Sequence, residues 1–365
     1  MMNVNELSLE EKVGQMFMFG VNSNDVSVLY KLIKDFKIGG VILYKNNYSS
    51  YDELINVVKK LKDANKDNKV PLFISIDQEG GRVNRMPKEI SNIKNIFDLS
   101  SLNDIKLIED SADIMSKMLV NSGINMNFAP VLDIYNGSES NVLYKRCFSS
   151  EKDIVSKYGI KYMKKMQQNN LISVVKHFPG HGVSEKDSHF LVPYVKDYKV
   201  IFDKHIIPFE NAINNGCDAI MIGHIVIKGI TNGLPASISK EFISKYLREK
   251  YNYDGLIITD DIKMGAVNLI YRFVSLEKAF SSGSDVVLIK YHKGNENFIN
   301  KIVDKVNNNV INISEINSSV DRILKIKAKY NIADDTNFDG IIKNEFNKKI
   351  NNINCKYENG VNNEK

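Results

Sequence analysis

The chain has 365 residues, 43% of them hydrophobic and 25% charged, with a formal net charge of +5. That balance belongs to a globular protein with material for a large core and excludes a disordered chain. No apolar run approaches the roughly 18 residues of a membrane span, and basic residues are not interleaved with aromatic ones as nucleic-acid binding requires. Three scattered cysteines, Cys147, Cys217 and Cys355, form neither a disulfide framework nor a zinc pattern. The first ten residues are polar and lack the apolar stretch of a signal peptide. A soluble, cytoplasmic protein is expected, with no nucleic-acid and no membrane partner.

Ser8-Leu9-Glu10-Glu11 has the form of a capping box and opens a helix, and a first strand is read over 13–20. A helical period over 25–36 is followed by a buried-strand run over 39–44. Residues 51–65 read as a helix with Leu54, Val57, Val58 and Leu61 on one face. The next strand, 72–77, ends in an acid, and an amphipathic helix over 104–120 is closed by Gly123. A strand over 125–130, a helix over 151–169 and a strand over 172–177 come next. The same alternation continues with helices over 201–214, 240–250 and 276–281 and strands over 218–224, 255–261 and 285–289. Helical patterns over 295–306 and 314–329 complete it.

Short, continuous apolar strands alternating with helices predict a parallel sheet covered by helices. About eight such units in one chain favour a single closed (β/α)8 TIM-type barrel over an open doubly wound sheet. Residues 1–333 are assigned to the barrel. Residues 334–365 are assigned to an Asn/Lys-rich extension whose last dozen residues show no apolar period and are expected to be mobile.

In a parallel barrel the strand C-terminal ends surround one site, and here they carry polar residues: Asp77, Lys176-His177, His224 and Asp260-Asp261. The stretch from Ser173 to His189 is the most informative. It ends an apolar run in Lys-His, breaks regular structure with Pro179-Gly180 and Gly182, and holds three of the six histidines. There is no glycine-rich dinucleotide fingerprint and no phosphate loop, so no nucleotide cofactor is expected.

Lys176-His177-Phe178-Pro179-Gly180-His181-Gly182, followed by Asp187-Ser188-His189, resembles the signature of glycoside hydrolase family 3, and within it the bacterial β-N-acetylglucosaminidase branch. Ile76-Asp77-Gln78-Glu79-Gly80-Gly81-Arg82-Val83-Asn84-Arg85, the run from Asn127 to Asp133, Pro235-Ala236-Ser237 and the run from Gly255 to Ala266 are similar to further segments of that family. The resemblance extends from about Glu10 to Tyr330, in one order. It implies Asp260 as nucleophile, and His189, paired with Asp187, as acid/base. It implies sugar binding by Asp77, Arg85, Arg146, Lys176 and His177, with no metal and no organic cofactor. The chain departs between Asp133 and Arg146, where the family usually has an Asn-Pro turn and a glycine two residues before the arginine; here stand Gly137-Ser138 and Tyr144.

The chemistry is consistent with those roles. A retaining glycosidase needs a nucleophile on one face of the sugar and a proton donor on the other. Aspartate stays ionised near neutrality, and imidazole titrates near working pH, so it can give a proton and take one back. The other reading of Asp260-Asp261 is a helix N-cap pair, and that of Asp77 with Arg85 is a salt bridge at the barrel mouth. His181 and His224 read as loop-packing residues or supports for others. The expected function is removal of terminal β-linked GlcNAc from peptidoglycan-derived GlcNAc–MurNAc fragments in cell-wall recycling. The partner is a small carbohydrate. The alternatives are a β-N-acetylglucosaminide phosphorylase and a chito-oligosaccharide hydrolase on the same scaffold.

Overall fold

The computed structural model describes residues 2–137, 142–183, 193–262 and 275–363. Eight strands form one all-parallel sheet: β1 (Phe17–Gly20), β2 (Gly40–Leu43), β3 (Phe73–Ile76), β4 (Met126–Asn127), β5 (Ile172–Phe178), β6 (Ala219–Ile222), β7 (Leu256–Thr259) and β8 (Val287–Lys290). Their order is β8-β1-β2-β3-β4-β5-β6-β7, so the last strand lies beside the first, with Phe17 opposite Val287. The circle closes between β7 and β8 at an Ile258–Val286 bridge. The result is the nearly closed barrel that the alternation of elements predicts. Its strands are mostly apolar and buried on both faces because the barrel interior covers one face and the helices the other.

The β7–β8 seam is partly made by side chains. Asp285 Oδ2 accepts from the Ile257 amide at 2.8 Å, Thr259 Oγ1 from the Leu288 amide at 3.1 Å, and Asp261 Oδ1 from the Lys290 amide at 3.0 Å. Asp285 is itself fully buried and held by Arg248 at 2.7 Å and Arg322 at 3.0 Å.

The helices are α1 (Leu9–Gln15), α2 (Ser27–Phe36), α3 (Tyr51–Asn65), α4 (Ile105–Asn121), α5 (Lys152–Gln168), α6 (Ile207–Asn214), α7 (Ser275–Ser281), α8 (Asn297–Asn307), α9 (Ile313–Lys329) and α10 (Lys343–Asn363). The capping box forms: Ser8 Oγ accepts from the Glu11 amide at 3.2 Å, and Glu11 Oε2 from the Ser8 amide at 2.8 Å. It carries α1 as far as Gln15, so β1 starts at Phe17 rather than at Val13.

Two predicted helices have irregular backbones. Over 201–214 the chain winds as a π-helix at Ile201–His205 before α6 begins. Pro208 lies at the junction, and having no N–H it cannot bond to Lys204. The segment Ile243–Lys250 is also π-helical. The predicted strand over 125–130 is reduced to the two residues of β4, where Pro130 has no N–H to extend the ladder.

Beyond Lys329 the sequence reading has no regular element, whereas the structure has α10. This helix buries Ile350 and Ile353 and packs along α4. Phe346, Ile350, Ile353 and Tyr357 are spaced four, three and four apart, a helical stripe that the Asn/Lys background masks.

Candidate active site

The C-terminal ends of the strands open into a cavity of about 510 Å³. Asp77, Arg85, Arg146, Lys176, His177 and Asp260 all line it. These are all the predicted site residues that lie within the described parts of the chain. Asp187 and His189 fall in 184–192, outside the described residues.

Lys176, near the end of β5, is buried between two acids. Its Nζ lies 2.6 Å from Asp77 Oδ1 and 2.7 Å from Glu79 Oε1. Arg146 grips the same Glu79 with two bonds, Nε to Oε2 at 2.8 Å and Nη2 to Oε1 at 2.7 Å. Burial alone would raise the Glu79 carboxyl, but Arg146 and Lys176 outweigh it and hold the group well below its ordinary range. Burial would likewise neutralise Lys176, and Asp77 and Glu79 overcome that and keep it charged. Asp77 is therefore bonded to Lys176, and the alternative of an Asp77–Arg85 salt bridge does not describe the site. Glu79 lies within the Ile76–Arg85 motif, yet nothing local in the sequence marks it as a site residue, because Arg146 and Lys176 are distant in the chain.

The turn that carries Glu79 and Arg85 is braced from within. The Gln78 amide donates to Asn127 Oδ1 at 2.9 Å, and Asn127 Nδ2 returns a bond to Gln78 O at 2.9 Å. Gln78 Oε1 accepts from the Arg85 amide at 2.6 Å. Gly81, at φ 55°, could not carry a side chain, since a Cβ there would stand 2.5 Å from that of Asn95.

His177 is oriented by Asp133, which is fully buried. His177 Nδ1 lies 2.6 Å from Asp133 Oδ2, and Asp133 Oδ1 accepts from the His181 amide at 2.6 Å. Burial would raise the Asp133 carboxyl, but His177 and His181 bring it below the ordinary value, so it is ionised. Nδ1 of His177 is then the donor, leaving Nε2 for a ligand. His181 lines the same cavity and is held down to about 4, chiefly by burial and then by the neighbouring His177, so it is neutral.

Asp260 follows β7 and is tied by its amide to Ile222 O at 3.0 Å. One of its oxygens accepts from the Asp261 amide at 2.8 Å. Burial opposes its charge, yet His224, His177, that amide and Lys176 together lower its pKa. Asp261 is differently employed, since its Oδ1 caps the Lys290 amide in the seam. His224 supports this peptide: Nε2 donates to Asp261 O at 2.9 Å, and Nδ1 pairs with Ser237 Oγ at 2.6 Å. That matches the supporting role read for His224. The Pro-Ala-Ser segment serves the site through Ser237.

Among the described residues, no group of three His, Cys, Asp or Glu side chains is placed to hold a metal ion, and no helix is long and apolar enough to cross a membrane.

Residues 8–326 match the glycosyl hydrolase family 3 N-terminal domain. The chain is 34% identical over 258 residues to a β-hexosaminidase of Psychromonas ingrahamii, covering 69% of this chain and 75% of that protein. It is 30% identical over 329 residues to β-hexosaminidase A of Pseudoalteromonas piscicida, covering 82% of this chain but only 55% of that longer protein. The family 3 β-N-acetylglucosaminidase of Paenibacillus sp. str. FPU-7 has the same fold, with a TM-score of 0.87 at 29% identity over 95% of this chain and 68% of that one. On the family match, which takes in nearly the whole barrel and its ring of charged strand ends, the chain belongs to glycoside hydrolase family 3.

Proposed function

We propose that the protein is a retaining exo-β-N-acetylglucosaminidase that removes terminal β-linked GlcNAc from peptidoglycan-derived GlcNAc–MurNAc fragments in the cytoplasm. The observation that carries this reading is Asp260. It is an ionised carboxylate at a rigid strand end, with one oxygen held by the next amide, in a cavity that also holds Lys176, Asp77, Arg85, Arg146 and His177. The names of the relatives support an N-acetylated sugar.

In the first step an Asp260 oxygen bonds to the anomeric carbon as the bond to the leaving oxygen breaks. His189, oriented by Asp187, gives that oxygen its proton. In the second step water attacks the anomeric carbon, His189 takes the water proton, and the sugar–Asp260 bond breaks. Lys176 and Arg85 donate to sugar hydroxyls, Asp77 accepts, and Nε2 of His177 faces the ring substituents. Bonds of this kind tighten as positive charge develops on the sugar, so they lower the barrier as well as the Kd.

The test is release of nitrophenol from β-glycosides of GlcNAc, glucose and xylose, with and without phosphate, followed by GlcNAc–anhydroMurNAc against chitobiose. Preference for the GlcNAc glycoside with free GlcNAc as product is expected. A sugar-1-phosphate product would make the enzyme a phosphorylase, and faster cleavage of chitobiose would move the substrate to chito-oligosaccharides.

A further inference from the structure

Helix α10 lies outside the family match, which ends at residue 326. Its strongest polar contacts are with one segment of the catalytic face. Asn347 Oδ1 accepts from the Ser91 amide at 2.7 Å, and its Nδ2 donates to Glu89 O at 2.8 Å. Asn354 Oδ1 accepts from the Lys94 amide at 2.9 Å, and its Nδ2 donates to Asn92 O at 3.0 Å. The two asparagines are seven residues apart and so lie on one face of the helix, two turns from each other. Each satisfies one backbone N–H and one backbone C=O, as a neighbouring strand would. Lys94 Nζ adds a contact over the Tyr357 ring at 4.6 Å.

The clamped segment in turn holds the turn that carries Glu79 and Arg85. The Gly81 amide donates to Ile93 O at 2.8 Å, Asn92 Nδ2 donates to Gly81 O at 2.6 Å, and Gly81 packs against Asn95. A chain of bonds thus runs from α10 through 89–95 and Gly81 to the residues that line the cavity.

We infer that Asn347 and Asn354 are positioning residues for sugar binding, acting through the 89–95 segment on the turn that bears Glu79 and Arg85. The inference rests on the reading of the cavity as a sugar site. Their loss leaves Asp260 and its surroundings in place, so it should weaken substrate binding more than it slows the chemical step.

The experiment uses the full chain with both residues replaced, N347A/N354A, and 4-nitrophenyl β-GlcNAc as probe. KM is expected to rise about 3- to 10-fold and kcat to fall by a smaller factor, because the displaced contacts bind the sugar in the ground state and tighten further in the transition state. Asn351→Ala, on an exposed position of the same helix, should leave both unchanged. Combining the clamp variant with Arg85→Ala should raise KM by less than the product of the separate effects, because both act on one turn. A folded clamp variant with the original KM overturns the inference, and so do effects that multiply fully. If Arg85→Ala alone leaves KM unchanged, the assignment of Arg85 falls, and the KM of the clamp variant alone decides. Should N347A/N354A not fold, N347D/N354D keeps an acceptor oxygen at each site and replaces each amide donor with a charged oxygen facing the Glu89 or Asn92 carbonyl. It should shift KM the same way, and no shift would overturn the inference.

Discussion

The ammonium of Lys176 stands 2.7 Å from the carboxylate of Glu79, with both side chains less than a tenth exposed. Arg146 holds the other side of that carboxylate, so one acid fixes two of the cations expected to meet the sugar.

Glu79→Gln should therefore damage both the fold and the sugar site. It leaves Lys176 and Arg146 with a neutral partner, and removing one member of a buried pair typically costs about 3–5 kcal/mol. Thermal denaturation should show a clear drop in Tm, and kcat/KM should fall by at least about 10-fold through misplaced cations. Original values of both would show that the cluster is not needed to organise the cavity.

Asp260 and Asp261 should separate cleanly. Asp260→Asn should abolish nearly all turnover with the fold kept, and an activated fluorosugar should label Asp260 in mass spectrometry of the trapped enzyme. Asp261→Ala should instead lower stability, since it removes the oxygen that accepts from the Lys290 amide in the β7–β8 seam. Label on Asp261 would reverse the two roles.

His189→Ala should discriminate between leaving groups. A dinitrophenolate leaves without help, whereas a sugar alkoxide needs a proton. General acid catalysis contributes about 10²- to 10⁴-fold, so hydrolysis of the natural disaccharide should fall by that factor more than cleavage of the dinitrophenyl glycoside. Azide should partly restore the second step and yield a glycosyl azide. Equal losses on both substrates would place the proton donor elsewhere.

Stability should decline in mild acid. His181 and His205 are buried and held down to about 4 by that burial, from an ordinary value of 6.5. Between those values the unfolded chain binds protons that the folded one does not, so their contribution is complete above pH 6.5 and is lost as the pH falls towards 4. Each shift is worth on the order of 2–3 kcal/mol at the acid end. Glu79, Asp133 and Asp260 are shifted downward and add the same tendency below the ordinary carboxylate range. Urea denaturation at a series of pH values should show this slope, and His205→Gln should flatten its upper part. A stability profile that is flat from pH 6.5 to 4 would contradict it.

The barrel was legible because its strands are short apolar runs with no alternation, as burial on both faces dictates. Asp77, Lys176, His177 and Asp260 were legible for a related reason: in a parallel barrel, the polar residues that end the runs face one opening; Arg85 and Arg146 stand in loops and came only from the family resemblance. Glu79 escaped because an acid in a loop carries no local sign of the lysine and arginine it holds. Helix α10 escaped because the four residues of its apolar stripe are diluted by asparagine and lysine. The π-helical backbone at 201–205 and 243–250 escaped because a one-residue shift in hydrogen bonding leaves the apolar spacing almost unchanged.

The β7–β8 seam has a consequence for how such an enzyme changes over generations. Backbone ladders are made by nearly every sequence alike, and among point substitutions only proline removes one of their donors. Here the hydroxyl of Thr259 and the carboxylates of Asp261 and Asp285 take the place of carbonyl acceptors, on the strand pair that flanks Asp260. A single codon can therefore loosen, tilt or re-register the strand that delivers Asp260 while leaving Asp260 itself untouched. That stitching offers a heritable means of shifting the Asp260 carboxylate without replacing it.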